Sequence, residues 1–231
     1  MIIEKRLEII IDTLKKEEAV SNKILMDKLG VSESTLRRDL SYLQDEGKLT
    51  RVHGGAVVNN LSKKELNYTD NQKNKLKEKS IIGKKAVKLI KDAKFIYLDA
   101  GSTCHSLIDY LDSSMDLSIV TNGLMHVDKL ISKNIPTILL EGRVKPTTKV
   151  TTGVKTLESI SRYNFDLAFI GANGFDDFAF YTADVSEATV KAKAIENSAR
   201  AYVLADSSKE GVKYFQTIAK RDEIKLIRED K

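Results

Sequence analysis

Between residues 95 and 205 five short apolar runs recur, at 95–99, 117–121, 137–140, 166–170 and 201–205. The first four are each followed by a polar turn that carries a glycine: Gly101, Gly123, Gly142 and Gly171. Segments with helical periodicity separate several of the runs, among them 186–198. Short strands alternating with helices predict an α/β fold, with a mostly parallel sheet covered on both faces. Residues 224–227 read as a last edge strand. If the strands are parallel, the glycine-bearing turns gather at one edge, the carboxyl edge where open α/β sheets bind ligands.

The first part of the chain has a different rhythm. Ile3, Leu7, Ile10, Ile11 and Leu14 recur at helical spacing. Ser21 caps a short second helix through Leu29, with Ile24, Leu25 and Leu29 turned inward, and Gly30 ends it. Ser32 is the N-cap of a third helix, 32–46, which Gly47 stops. Residues 48–58 alternate around Gly54-Gly55 as a β-hairpin. This order is that of a winged helix-turn-helix. Residues 59–77 are polar and read as a linker, and an amphipathic helix over 79–91 turns Ile82, Ala86, Leu89 and Ile90 inward. The expected division is 1–58 for a DNA-binding domain, 59–77 for a linker and 78–231 for a ligand-sensing domain.

In the third helix, about 100° per residue puts Leu36, Leu40 and Leu43 on one face. Ser34 and Arg38 lie opposite, with Thr35 and Arg37 on the flanks. A recognition helix enters the major groove with its N-terminal residues. Arginines there bridge guanine edges or hold phosphates, and hydroxyls serve either purpose. The charge is uneven: 1–58 balance at ten basic and ten acidic residues, 59–94 hold eleven lysines against four acids, and 95–231 hold seventeen against nineteen, for a net +5. The lysine-rich middle is either a solvated face or a surface for a polyanion.

Other classes are excluded. One cysteine, Cys104, allows neither a disulfide framework nor a cysteine-built zinc site, and His53, His105 and His126 show no metal-ligand spacing. No metal and no cofactor are expected. No run of 18 apolar residues occurs, and residues 1–6 put charge where a signal peptide needs an apolar stretch. The expected location is cytoplasmic, with no membrane partner.

The ligand end has its own chemistry. In Asp99-Ala100-Gly101-Ser102-Thr103, the glycine lets backbone approach a ligand, and two hydroxyls add donors where a helix begins. Thr121-Asn122-Gly123 and Gly171-Ala172-Asn173-Gly174 are comparable strand-end turns. Arg143 and Lys209 are candidate cations for a phosphate, with a surface ion pair as the plainer role for each.

Residues 31–40 (VSESTLRRDL), Gly47-Lys48-Leu49 and Arg51-Val52-His53-Gly54-Gly55-Ala56 closely resemble the DeoR family of bacterial transcriptional regulators. Glu78-Lys79, residues 99–103, Thr121-Asn122, Phe169-Ile170-Gly171 and residues 205–209 (ADSSK) resemble that family's sensor domain. The resemblance implies a winged-helix operator-binding domain and a sensor similar in fold to ribose-5-phosphate isomerase. The function it implies is a homo-oligomeric repressor of a sugar-utilisation operon, controlled by a phosphorylated sugar. It implies DNA contacts by Ser32, Ser34, Thr35, Arg37, Arg38, Arg51, His53 and Gly54. It implies effector contacts by Asp99, Gly101, Ser102, Thr103, Thr121, Asn122, Arg143, Asn173, Asp184 and Lys209. Similarity to fructose-operon repressors around 181–209 points to fructose 1-phosphate. The chain departs from the family at Asn71, where an arginine is common. The alternative is a sugar-phosphate isomerase or deaminase fused to a DNA-binding segment. Asp99 and Asp184 are its carboxylates, but neither sits in the acid–base motif of ribose-5-phosphate isomerases, so no catalysis is expected.

Overall fold

The computed structural model describes residues 2–17, 19–46, 48–52, 54–58 and 68–230. Gly47, His53 and residues 59–67 lie outside them, so the expectations for these positions go no further.

The N-terminal unit runs α1 (Ile3–Glu17), β1 (Ala19–Ser21), α2 (Asn22–Leu29), α3 (Glu33–Asp45), β2 (Leu49–Val52) and β3 (Gly55–Val58). Ile10 and Leu14, Leu25 and Leu29, and Leu36, Leu40 and Leu43 share one core with Leu49 and Ala56. Ile24, expected inward, is 48 % exposed, because its neighbours Leu25 and Leu29 take the buried stripe of α2. Buried Asp39 accepts from Arg6 Nε and Nη2 at 2.7 and 3.0 Å, which pins α1 across α3. The strands pair antiparallel in the order β1-β3-β2. Two glycines are needed at the wing turn for different reasons. Gly54 has φ +81°, and a β-carbon on Gly55 would lie 2.4 Å from the carbonyl oxygen of Val20.

Next come α4 (Tyr68–Lys73) and α5 (Leu76–Val87). Both begin inside the stretch read as linker, a correction to that reading. Burial of the Tyr68 ring to 5 % exposure is what docks α4. The Tyr68 N–H also donates to Thr147 O at 2.9 Å.

The C-terminal unit continues with β4 (Phe95–Leu98), α6 (Ser102–Leu107), β5 (Ser118–Thr121), α7 (Leu124–Ser132) and β6 (Thr137–Leu139). Then follow β7 (Arg143–Lys145), β8 (Val150–Thr152), α8 (Val154–Ile160), β9 (Leu167–Gly171), β10 (Gly174–Phe175) and β11 (Ala179–Thr182). It ends with α9 (Val185–Glu196), β12 (Ala201–Leu204), β13 (Gln216–Lys220) and β14 (Lys225–Ile227). Among the described residues, six strands form a parallel sheet in the order β14-β12-β9-β4-β5-β6. Alternation along β4 splits the core: Ile96 and Leu98 face α5 and α6, whereas Tyr97 faces the side of α8 and α9. The chain leaves β4 toward β5 and β6, then returns on its other side with β9, β12 and β14. The switch point therefore lies between the carboxyl ends of β4 and β9, where a crevice must open. The hairpin β7–β8 and the antiparallel sheet β10-β11-β13 were not anticipated. β7, β8 and β10 have only two or three residues, too few to show a period.

Leu40 is 2 % exposed at the centre of the N-terminal core. Leu40→Ala is expected to destabilise that unit by about 2–5 kcal/mol. Hydrogen exchange checks this: amides of α1–α3 lose protection, while those of β4 and β9 keep it.

Candidate functional site

The first site is the outer face of α3. Ser32 Oγ accepts from Thr35 N–H at 3.4 Å and lies 3.0 and 3.1 Å from the hydroxyls of Ser34 and Thr35. The N-cap thus gathers three hydroxyls at one end of the helix. Arg37 and Arg38 are exposed and make no hydrogen bond or ion pair among the described residues. Arg51 is placed differently from a free DNA contact. Its Nη1 donates to Ser41 Oγ at 2.7 Å and its N–H to Gln44 Oε1 at 2.9 Å, so it holds the wing on α3. Gly54 sits at the wing turn, and its carbonyl accepts from Asn22 N–H at 2.8 Å.

The second site is a cavity of about 640 Å³ at the switch point, within the ~300–1,000 Å³ usual for small-molecule sites. Gly101, Ser102, Thr103, Asn173 and Lys209 of the expected set line it, together with Lys79, Glu187 and Lys191. Val52 and Val57 of the wing also line it.

The remaining expected residues stand behind or beside the cavity. Asp99, 1 % exposed, accepts from Gly171 N–H at 2.8 Å and pairs with Lys191 Nζ. Lys191 also donates to Gly171 O at 3.1 Å. Burial pulls the Lys191 ammonium down, but Asp99 and Glu187 outweigh it and hold the pKa above its ordinary value. Thr121 Oγ1 donates to Leu98 O at 2.6 Å, and Asn122 Oδ1 accepts from Tyr97 Oη and Ala100 N–H at 3.1 and 3.2 Å. These two side chains brace the Gly101 turn from within. Asp184 caps α9 by accepting from Glu187 N–H at 3.0 Å. Burial raises its pKa, but that hydrogen bond and Lys145 outweigh burial and leave it lowered. Arg143 is exposed on β7 and off the cavity. Lys145, two residues on, reaches Asp184 and Glu187 at 3.0 and 2.8 Å. Thr148 Oγ1 also donates to Glu187, at 2.9 Å.

Lys79, Lys145, Glu187 and Lys191 were missed as site residues. For two of them a signal was present. Lys79 stands on the buried stripe of α5 with Ile82, Gly83 and Ala86, and Lys191 on that of α9 with Ala188 and Ala194. A lysine where the helical period calls for an apolar residue marks a buried cation with a partner or a task. Burial lowers the Lys79 ammonium to about 8, with Asp206 opposing and Lys209 reinforcing that shift. The helix behind Ser102 has only six residues, so hydroxyls and ammonium groups, rather than a helix dipole, are what an anion in the cavity would meet.

A winged helix-turn-helix joined to a parallel-sheet unit, with a cavity at its switch point lined by lysines and carboxylates alike, defines a ligand-responsive DNA-binding regulator. The chain belongs to the DeoR family: residues 6–62 match the DeoR-like helix-turn-helix domain and residues 74–231 the DeoR C terminal sensor domain. It is 40% identical over 231 residues, 100% of this chain and 92% of the other, to an uncharacterized HTH-type transcriptional regulator, FruR, of Bacillus subtilis. It is 32% identical over 229 residues, 97% of this chain and 91% of the other, to a lactose phosphotransferase system repressor of Staphylococcus epidermidis. Among solved structures, ribose 5-phosphate isomerase A of Methanocaldococcus jannaschii is similar over 57% of this chain and 53% of its own, at 22% identity and a TM-score of 0.42.

The Lys79 shift gives a pH dependence. A phosphate monoester is a dianion above its second pKa of about 6, and bound in this cavity it would favour the charged ammonium and so raise the Lys79 pKa. Affinity is then expected to fall by up to about tenfold per pH unit above pH 8, where free Lys79 loses its proton before the bound form does. Isothermal titration between pH 7 and 9.5 checks this. Lys79→Met should weaken binding at pH 7 and flatten the decline.

Proposed function

We propose that the chain represses a sugar-utilisation operon, with operator DNA held by the α3 face and wing and a phosphorylated sugar held in the switch-point cavity. The carrying observation is the lining of that one cavity. Lys79 and Lys209 line it with the hydroxyls of Ser102 and Thr103, groups suited to a phosphate, and Lys191, Glu187 and Asn173 line it too, as polar groups suited to a sugar. Asp99, Thr121, Asn122 and Asp184 then act through neighbours rather than on the ligand. A free sugar lacks the dianion that two ammonium groups select.

The chain is a regulator and not an enzyme. The relatives matched over nearly its whole length carry the names of transcriptional regulators and repressors. The resemblance to fructose-operon repressors around residues 181–209 puts fructose 1-phosphate first on a panel of effectors. One winged helix reads a single half-site, so two or more copies act together on the operator. Operator and sugar phosphates are cytoplasmic, and so is the protein in this reading.

A thermal-shift panel of sugar phosphates tests the effector. At a concentration of 100 Kd the selected compound stabilises the folded state by about 2.7 kcal/mol, and its unphosphorylated sugar gives no comparable shift. Ser102→Glu puts a like charge where the phosphate rests. It is expected to keep operator affinity in ligand-free buffer and to lose the ligand response, which coupling of about 1–3 kcal/mol makes roughly 5–150-fold in wild type. An intact response would place the effector elsewhere.

Arg38→Ala tests the DNA face. Operator affinity is expected to fall by about 1–3 kcal/mol at constant salt with the fold intact, relaxing one base-pair preference if Arg38 reads a guanine. If it holds a phosphate, the loss is uniform across sequences. Equal affinity on every sequence would remove Arg38 from the interface.

A further inference from the structure

Two donors of the proposed phosphate end already share an acceptor. Lys79 Nζ donates to the backbone carbonyl of Asn71, and Ser102 Oγ donates to the same oxygen at 3.4 Å. A cation and a hydroxyl converging on one partly negative oxygen is the pattern that a phosphate oxygen would also receive. Asn71 belongs to α4, whose residues Tyr68 and Asn71 line the same cavity. We propose that α4 is a strap whose Asn71 carbonyl occupies the place of a phosphate oxygen, so that a phosphorylated ligand displaces the strap and thereby acts on the DNA-binding unit.

The chemistry makes the two occupants rivals. The Ser102 hydroxyl has one proton and serves either the carbonyl or the ligand. The Lys79 ammonium has three, but the negative end of the carbonyl dipole faces the site where a dianion would lie. The strap is built to yield. It is a six-residue helix, too short to persist without its contacts. It is held by the Tyr68 N–H on Thr147 O at 2.9 Å and by the Tyr68 ring edge-on to His105, with centroids 6.3 Å apart. The buried Tyr68 hydroxyl has no hydrogen-bond partner among the described residues, so part of the docking energy is forfeited. The strap is also well placed to report, because it is the first described element after the wing strand β3. The inference rests on the reading of the cavity as a phosphate site and adds how occupancy leaves it.

Hydrogen exchange of the full chain, with and without millimolar inorganic phosphate, separates the two claims. The expected result is slower exchange at residues 101–104 with exchange at least several-fold faster at 68–73. Slower exchange at 101–104 with unchanged or slower exchange at 68–73 would overturn the strap and leave the anion site standing. No change at 101–104, with no heat on titration, would overturn the site and the strap with it. A variant pair gives an independent sign. Tyr68→Ala loosens the strap and is expected to bind phosphate several-fold more tightly than wild type. Tyr68→Phe keeps the ring and should bind as wild type does. Equal or weaker binding by Tyr68→Ala, with native amide protection in the parallel sheet, would show that the strap does not compete.

Discussion

Lys191 carries its ammonium into the protein at 8 % side-chain exposure, onto an Asp99 that is 1 % exposed. Breaking such a pair strands one charge in a poor solvent, at a typical cost of about 3–5 kcal/mol. Three elements therefore have to meet at this point: the end of β4, which supplies Asp99; the end of β9, where Gly171 offers both its N–H and its C=O; and α9, which supplies the lysine. The crevice at the switch point is a consequence of topology. The charge pair is what gives it fixed polar walls. Glu187, one turn before Lys191, extends the same network to Lys145 and Thr148 on the segment that follows β6.

The N-terminal unit solves a smaller problem with a similar device. Its core is one layer of leucines under α3, and Asp39 on the margin of that layer holds Arg6. The opposite face is then left to hydroxyls and two arginines without internal partners among the described residues. The two halves of the molecule also meet. A β-carbon on Gly211 would lie 2.3 Å from Val52 Cγ1 and 3.0 Å from Val57 Cγ2, so that loop and wing are in close contact. Lys209, two residues earlier, lines the cavity. Ligand chemistry and wing placement are thus separated by a few residues, which is the physical requirement for coupling two sites.

Much of this was legible in the residues. The alternation of apolar runs and helices specified a parallel sheet, because period and run length are local properties of the chain. Ser32 as N-cap, Gly30 as a left-handed terminator at φ +62° and the Leu36–Leu40–Leu43 stripe follow from local geometry and from one buried face. Gly101, Ser102, Thr103, Asn173 and Lys209 could be placed at the cavity because a parallel sheet brings strand ends together. Thr121, Asn122 and Arg143 could not be sorted in the same way. Thr121 ends β5, Asn122 follows it and Arg143 opens β7, and only packing decides whether such a side chain turns into the crevice, braces the turn behind it or points to water.

What the sequence by itself determined is the order of α1–α3 and of the parallel strands, and the residue types available at the carboxyl edge, since these follow from local periodicity and turn chemistry. What only the tertiary structure decided is who partners whom. Asp99 is taken by Lys191, Asp184 by the start of its own helix and by Lys145, and the donors of Lys79 and Ser102 by a carbonyl in a segment that reads as linker. Those pairings join residues up to 92 positions apart, and burial makes them strong. Neither distance in space nor loss of water is encoded in any single stretch of the chain.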